Sequence, residues 1–291
     1  MRSSIHNEYG SLTSVMLKRP ADAFQNPGII ENQWKELNYT EKPDYDKSIL
    51  EYIKFESLLS SLGPEFIFLD KNDSACLDSI YTRDATIATN RGMIICNMGK
   101  KARLFEPGLQ KQKFEDAGIP VLGEVKAPGT VEGGDTAWLD ENTLLIGRGF
   151  RTNDEGINQV KEMVSEFAEI VEVHLPYFKG PSDVFHLMSI FSPVDKDLAL
   201  VYSPLMTVPF REFLKFRKYQ FVEVPEIEFD SMGCNVLAIS PRNCIMVEGN
   251  PVTKRRLEEA GVKVSEYSGL EISVKGCGGP TCLTRPLSRM I

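Results

Sequence analysis

One order of elements recurs along the chain with a period of roughly fifty residues: an apolar strand, a tight turn, a second apolar strand, a helix and a third strand. The first copy is Thr86-Ile87-Ala88-Thr89, the turn Asn90-Arg91-Gly92, Met93-Ile94-Ile95-Cys96, a helix from about Pro107 to Ala117, and Pro120-Val121-Leu122. The second comprises Thr136 to Leu139, a turn at Asp140-Glu141-Asn142, Thr143 to Gly147, a helix near Gly156 to Phe167, and Ile170 to Val173. In that helix Ile157, Val160, Met163, Val164 and Phe167 form one apolar stripe. A third copy runs as a strand from Phe185 to Phe191, a turn at Pro193-Val194-Asp195-Lys196, Leu198 to Tyr202, a helix from Pro209 to Phe216, and Phe221 to Val224. The fourth uses Val236 to Ile239, a turn at Ser240-Pro241-Arg242-Asn243, Cys244 to Val247, a helix from Pro251 to Ala260, and Val262 to Val264. Pro251 suits a first helical turn and Gly261 a helix stop.

What remains is a strand starting near Cys282 and, at the other end, Ser14 to Lys18, a helix near Ser48 to Leu62, and Phe66 to Leu69. Together these make a fifth copy divided between the termini. Each copy must hide its apolar face against a neighbour, and a divided copy implies a closed ring. The expected fold is therefore α+β: residues 1–291 as a single catalytic domain of five ββαβ units about a pseudo-fivefold axis, the fifth closed by both termini. A plain α/β sandwich with accidental spacing is the competing topology.

A hydrophobic fraction of 42% with both charge signs present is that of a globular protein. The net charge of −8, with no Lys/Arg-rich run, argues against nucleic acid or an anionic membrane as partner and favours a small cationic substrate. No apolar run is long enough to span a bilayer, and the amino-terminal Met1 to His6 lacks the apolar core of a secretion signal, so a cytoplasmic protein is expected. Six cysteines, at positions 76, 96, 234, 244, 277 and 282, are too sparse and irregular for a disulfide framework and are expected to be thiols. Cys277, Cys282 and His186 show no zinc-type spacing, and no metal is expected. A homo-oligomer is left open.

In a ring of repeats, equivalent positions face one central space. Just before or at the first strand of successive units stand Asp84, then Glu132 with Asp135, then His186, Cys234 and Cys282. Each has an ordinary alternative: Asp84 and Asp135 as turn or strand caps, His186 as a core histidine in an apolar strand, Cys282 as a small buried hydrophobe. Cys234, after Gly233, reads as structural. Glu132 stands beside Gly133 and Gly134, which permit close approach of backbone to a ligand. Cys282 closes Gly276-Cys277-Gly278-Gly279-Pro280-Thr281-Cys282, whose glycines and proline promise a tightly turned loop, the setting that exposes a thiol and favours its thiolate. As a set these residues supply a thiol nucleophile, a proton carrier and carboxylates to hold a cation.

Glu132-Gly133-Gly134-Asp135, His186-Leu187-Met188-Ser189 and Gly278-Gly279-Pro280-Thr281-Cys282, in that order, resemble the guanidino-group-modifying enzymes: arginine deiminases, dimethylarginine dimethylaminohydrolases and amidinotransferases. The resemblance spans nearly the whole chain and implies a five-bladed β/α propeller, the pentein fold, which agrees with the repeat count. It implies a thiol hydrolase acting on a C–N bond of arginine or an N-methylated arginine, giving a ureido product such as citrulline without metal or organic cofactor. Cys282 is then the nucleophile and His186 the proton carrier, with Glu132 completing the catalytic set. Asp84, with Glu132 and Asp135, would bind the planar guanidinium, and Arg103 and Arg151 would grip an α-carboxylate. The segment from Ala21 to Thr40 is the expected lid.

One departure from the family pattern concerns the acidic residue that deiminases and transferases carry two positions after the histidine. This chain has Met188 there, an apolar edge that suits an alkylated substrate. Rival readings are an amidinotransferase, an arginine dihydrolase giving ornithine, and a propeller that binds without turnover.

Overall fold

The computed structural model describes residues 7–183 and 185–290; the amino-terminal stretch Met1 to His6 lies outside them. In chain order the elements begin with β1 (Ser11–Leu17), α1 (Pro20–Ala23), α2 (Pro27–Gln33), α3 (Tyr45–Ser60) and β2 (Glu65–Phe68). The next unit is β3 (Thr86–Thr89), β4 (Gly92–Ile95), α4 (Glu106–Asp116) and β5 (Val121–Glu124), followed by β6 (Thr136–Asp140), β7 (Thr143–Arg148), α5 (Asp154–Val164) and β8 (Glu169–His174). After it come β9 (Phe191–Asp195), β10 (Leu198–Val201), α6 (Val208–Phe216) and β11 (Gln220–Glu223). The last are β12 (Leu237–Ser240), β13 (Asn243–Val247), α7 (Pro251–Glu259), β14 (Lys263–Tyr267) and β15 (Arg285–Met290).

The strands assort into five three-stranded mixed sheets, each an antiparallel pair extended by a parallel third strand beyond a helix. Four use consecutive strands, whereas the other is ordered β15-β1-β2 and takes a strand from each end of the described chain, Val15 opposite Pro286 and Met16 opposite Arg285. The middle strands are apolar throughout because both faces are covered: Leu144, Leu145 and Ile146 of β7 and Ala199, Leu200 and Val201 of β10 are fully buried. Helices shield the sheets through single stripes. On α5, Ile157, Val160 and Val164 are buried, with Met163 and Phe167 packed at their edge. Helix starts follow local chemistry: Asp44 caps α3 through Lys47 N–H, Asn153 caps α5 through Gly156 N–H, and prolines occupy first turns of α4, α6 and α7.

Two expected strands are corrected. The span from Phe185 to Phe191 is not a strand; Leu187–Ser189 form a 3-10 turn, and β9 starts only at Phe191. It then runs through Pro193, Val194 and Asp195, the residues expected to turn. Pro193 is tolerated because β9 lies at the edge of its sheet, beside a register shift opposite Leu198 and Ala199, so its missing N–H costs no ladder bond in a central strand. At the carboxyl end, β15 begins at Arg285 rather than near Cys282. Bonds from Leu283 N–H to Gly279 O and from Thr284 N–H to Thr281 O keep the thiol-bearing segment coiled. No helix among the described residues is long and apolar enough to cross a membrane.

Candidate active site

The turns that precede the first strands carry the chemistry. Glu132 stands immediately before the 3-10 turn Gly133–Asp135, and His186 immediately before the turn Leu187–Ser189. Glu132 is fully buried; its Oε2 lies 2.7 Å from His186 Nε2, and its Oε1 accepts Lys100 N–H at 2.9 Å. Gly134 makes this approach feasible, since a Cβ there would lie 2.6 Å from His186 Nδ1 and 2.7 Å from Asp84 Oδ1.

Asp84 is nearly inaccessible and faces the other side of the imidazole, Oδ1 lying 4.0 Å from His186 Nδ1. Its Oδ2 accepts Arg103 Nη1 at 2.5 Å, while Oδ1 is buried with no hydrogen-bond donor. A single ligand atom from each of Asp84, Glu132 and His186 lies within 4.8 Å of the others, close enough to surround a cation. Cys282 and His186 line one narrow cavity with Asp78, Tyr81, Asp84, Lys100, Arg103, Arg151 and the turn Gly276 to Gly278. A wider hollow of about 350 Å³ opens on the same Cys282, His186 and Cys277, walled by Phe178, Phe185, Phe229, Met232 and the Lys179–Asp230 pair.

Burial opposes charge on His186, yet the carboxylates Asp84, Asp135 and Glu132 overcome it and raise its pKa to about 9. Burial likewise works against the Glu132 carboxylate, but His186, Arg151 and Arg103 hold it down at about 2. The pair is therefore an imidazolium and a carboxylate at neutral pH. Cys282 is shifted toward its neutral form. Burial and the Asp84 carboxylate push its pKa up to about 12, against smaller opposing effects of the Asn235 amide and Arg83. Burial and Asp84 outweigh these, so the thiol rests protonated.

Cys282, His186, Asp84, Arg103 and Arg151 thus meet at one cavity, with Glu132 directly behind His186. Asp135 does not reach the cavity wall. Its Oδ2 accepts Thr152 Oγ1–H at 2.7 Å and its Oδ1 accepts Leu187 N–H at 3.0 Å, so it fixes the turn that bears His186 instead of facing a substrate. Arg103 reaches the wall with its fork already engaged, by Asp84, by both oxygens of Glu106 at 2.9 and 2.7 Å, and by Tyr81 O. Arg151 donates Nη2–H to Asp183 O at 3.1 Å, and its Nη1 lies 3.5 Å from Glu132 Oε1.

Three neighbours escaped sequence reasoning. Asn235 donates Nδ2–H to Cys282 Sγ at 3.3 Å while its Oδ1 accepts Thr281 N–H at 3.0 Å. Its signal was its place beside Cys234, in the turn equivalent to that of Cys282. Asp78 and Lys100 pair at 2.6 Å, and Lys100 Nζ also reaches Leu37 O at 2.9 Å. Neither carries a repeat signature. Through Leu37, and through Thr40 N–H bonded to Lys275 O, the segment expected as a lid is tied down beside the wider hollow, which Asn38 and Thr40 help to line.

The chain is similar to known proteins over most of its length. An Arginine deiminase family model matches residues 77–213 and 206–289. Uncharacterized protein YkgA of Bacillus subtilis is 27% identical over 285 residues, 97% of this chain and 94% of that protein. Arginine deiminase of Staphylococcus haemolyticus is 28% identical over 72% of this chain, a match spanning only 61% of the deiminase's length. Among solved structures, the product-bound amino-terminal domain of ArgZ, a cyanobacterial arginine dihydrolase, superposes with a TM-score of 0.81 at 20% identity over 96% of this chain and 98% of that one. DDAH from Pseudomonas aeruginosa in complex with citrulline gives 0.74 at 22% identity over 96% and 100%. SxtG, an amidinotransferase of Microseira wollei, gives 0.79 at 16% identity over 99% and 98%. With the family model covering most of the sequence and the conjoined Glu132, His186 and Cys282 lying inside its span, the chain belongs to the arginine deiminase family.

Proposed function

We propose that this protein is a cytoplasmic thiol hydrolase that cleaves a C–N bond of arginine or an N-methylated arginine, releasing ammonia or an amine and a ureido product such as citrulline. Residues 1–291 would act as one catalytic domain, a five-bladed β/α propeller. Its blades are the five mixed sheets, and neighbouring sheets meet through β15 with β3, β12 with β9 and β1 with β12. The observation that carries the reading is the geometry around His186: an imidazolium held by Glu132 at 2.7 Å, a donor-free Asp84 oxygen beside it, and Cys282 in the same cavity.

A guanidinium brings planar N–H donors and a permanent charge. Asp84 Oδ1 accepts one of these donors, and the arriving cation offsets the carboxylate that holds the Cys282 thiol neutral. As substrate binds, the thiol releases its proton to solvent water and becomes a thiolate, with the Asn235 amide donating to the sulfur. The sulfur forms a bond to the guanidinium carbon. His186 then delivers its proton to the departing nitrogen, the C–N bond breaks, and an S-alkylthiouronium remains on Cys282. Neutral His186 next takes a proton from water and the water oxygen bonds to the same carbon; the C–S bond then breaks as the new hydroxyl passes its proton to the leaving sulfur, returning the thiol and the ureido product. Glu132 keeps the imidazole oriented through both transfers, and Arg151 with Arg103 offers positive charge to an α-carboxylate. Met188, expected as an apolar edge for an alkyl group, is buried and lines neither of the two cavities at Cys282.

The test is a panel of arginine, methylated arginines, agmatine and guanidino acids assayed for ureido product, with Cys282→Ala as control. Citrulline with ammonia or methylamine, formed without any acceptor, supports the proposal. Ornithine formed only with an added amine acceptor would identify a transferase, and ornithine with carbon dioxide and no acceptor a dihydrolase. A chain that neither turns over the panel nor is modified at Cys282 by a haloacetamidine would be a binding protein.

A further inference from the structure

Cys282 borders two spaces of opposite character. The narrow cavity is ringed by charge, from Asp78, Asp84, Lys100, Arg103 and Arg151. The wider hollow of about 350 Å³ is walled by Phe178, Phe185, Phe229 and Met232, none of which lines the narrow cavity. His186 lines both, beside the sulfur. Met188 lines neither, so the apolar surface next to the nucleophile comes from these four side chains instead.

The apolar wall is built in advance. The ring of Phe178 meets that of Phe185 at 5.5 Å between centroids and that of Phe229 at 6.0 Å, and Tyr202 stacks against Phe229 at 4.0 Å. All four wall residues are half-buried, so each keeps apolar surface uncovered. Such surface favours an apolar occupant, and rings already held by their neighbours lose little entropy on receiving one.

Charge decides which part of a substrate belongs there. Lys179 Nζ is bonded to Asp230 Oδ1 at 3.0 Å, and with side chains 52% and 82% exposed the pair stands at the solvent rim. Asp183 adds a second carboxylate to the lining, whereas both arginines at the site stand on the narrow side. A chain ending in a carboxylate therefore meets more negative than positive charge in the hollow. The group on the departing nitrogen is different: His186, which hands that nitrogen its proton, faces the hollow directly.

We propose, on the basis of the thiol-hydrolase reading, that the hollow is a leaving-group subsite and that the substrate carries an uncharged alkyl or aralkyl group larger than methyl on its departing guanidino nitrogen. The sulfur bonds to the guanidinium carbon, and the bond from that carbon to the substituted nitrogen breaks with its electron pair going to nitrogen. His186 supplies the proton, and a primary apolar amine is left against the aromatic wall.

The experiment assays the full chain with arginines bearing hydrogen, methyl, propyl, butyl or benzyl on one ω-nitrogen, measuring ureido product and released amine separately. From methyl to butyl, kcat/KM should rise about tenfold, with butylamine released in step with ureido product. Met232→Glu sets a carboxylate in the wall and should bring the butyl-to-methyl ratio to about one; a ratio taken on one preparation does not depend on how much of it is folded. With the unaltered protein, butylamine should protect Cys282 from a haloacetamidine at a concentration about tenfold below that needed with methylamine. Rates that stay flat or fall with substituent size, ammonia released from the butyl compound in place of butylamine, or a ratio unmoved by Met232→Glu would each overturn the subsite while turnover of the methyl compound leaves the hydrolase reading standing. No ureido product from any of the five compounds would end both.

Discussion

Cys234 and Cys282 occupy equivalent turns of successive repeats, each just before a strand, and both border the wider hollow, yet their sulfurs meet different groups. Cys234 is packed in an apolar cluster with Ile190, Leu200 and Val236; its sulfur lies 4.0 Å from Leu200 O, and burial drives its thiol far above the ordinary range. Cys282 is half-buried at the junction of two cavities, with an amide donor on its sulfur and an imidazolium lining the same space. A repeat therefore assigns a position, and the neighbours brought by other units assign a reactivity. Asn235 makes the point within one peptide: its own unit uses Cys234 as packing, while Asn235 itself serves the sulfur of the next unit.

The comparison can be broken most forcefully at the sulfurs. Cys282→Ala should lower ureido-product formation on the order of 10⁴-fold, whereas Cys234→Ala should leave turnover intact; a Cys234 variant with the larger loss would reverse the contrast. Glu132→Gln comes next. It keeps the shape but withdraws the charge behind His186, and turnover should fall about 10²–10⁴-fold with little change in KM.

The pH profile sharpens the same contrast. With His186 raised from 6.5 to about 9, stability from its pairing is complete below pH 6.5 and is lost as pH rises through about 9. Glu132, held at about 2, keeps its contribution above its ordinary 4.5 and loses it as pH falls toward 2. Turnover should thus decline above about pH 9 as the proton donor is lost, and the unfolding-temperature gap between the unaltered protein and Glu132→Gln should narrow over the same range. Asn235→Ala has a smaller expected effect, about a tenfold fall in the alkylation rate of Cys282 by a cationic haloacetamidine, from loss of one charge-assisted hydrogen bond. Smallest is Cys234→Ala measured as stability, about 1 kcal/mol by denaturant unfolding, the cost of one modest void.

Much of the fold was legible because the repeat is written in residue types that answer to local rules. Thr86–Thr89 forms the expected strand to the residue, and the helices start within a few residues of their prolines and caps. Legibility failed where tertiary context overrode a local signal, as at Pro193, which the sheet edge tolerates inside a strand. At the site, Cys282, His186, Glu132 and Asp84 were readable from their recurrence before strands. The engagement of Asp135 with Leu187 N–H and of Arg103 with Glu106 was not, because each depends on which way a side chain turns after the sheets assemble. The state of the thiol was equally hidden. Its pKa depends on a carboxylate almost two hundred positions earlier in the sequence, and no local motif encodes that distance.

β15 reaches its place only by lying alongside β1, and Cys282 sits just upstream of it. The β1 edge therefore stays unmatched in a partly folded chain until β15 docks, a pairing between opposite ends of the described residues. Docking of β15 is thus the step that fixes the segment bearing Cys282 relative to the turns that carry His186 and Glu132.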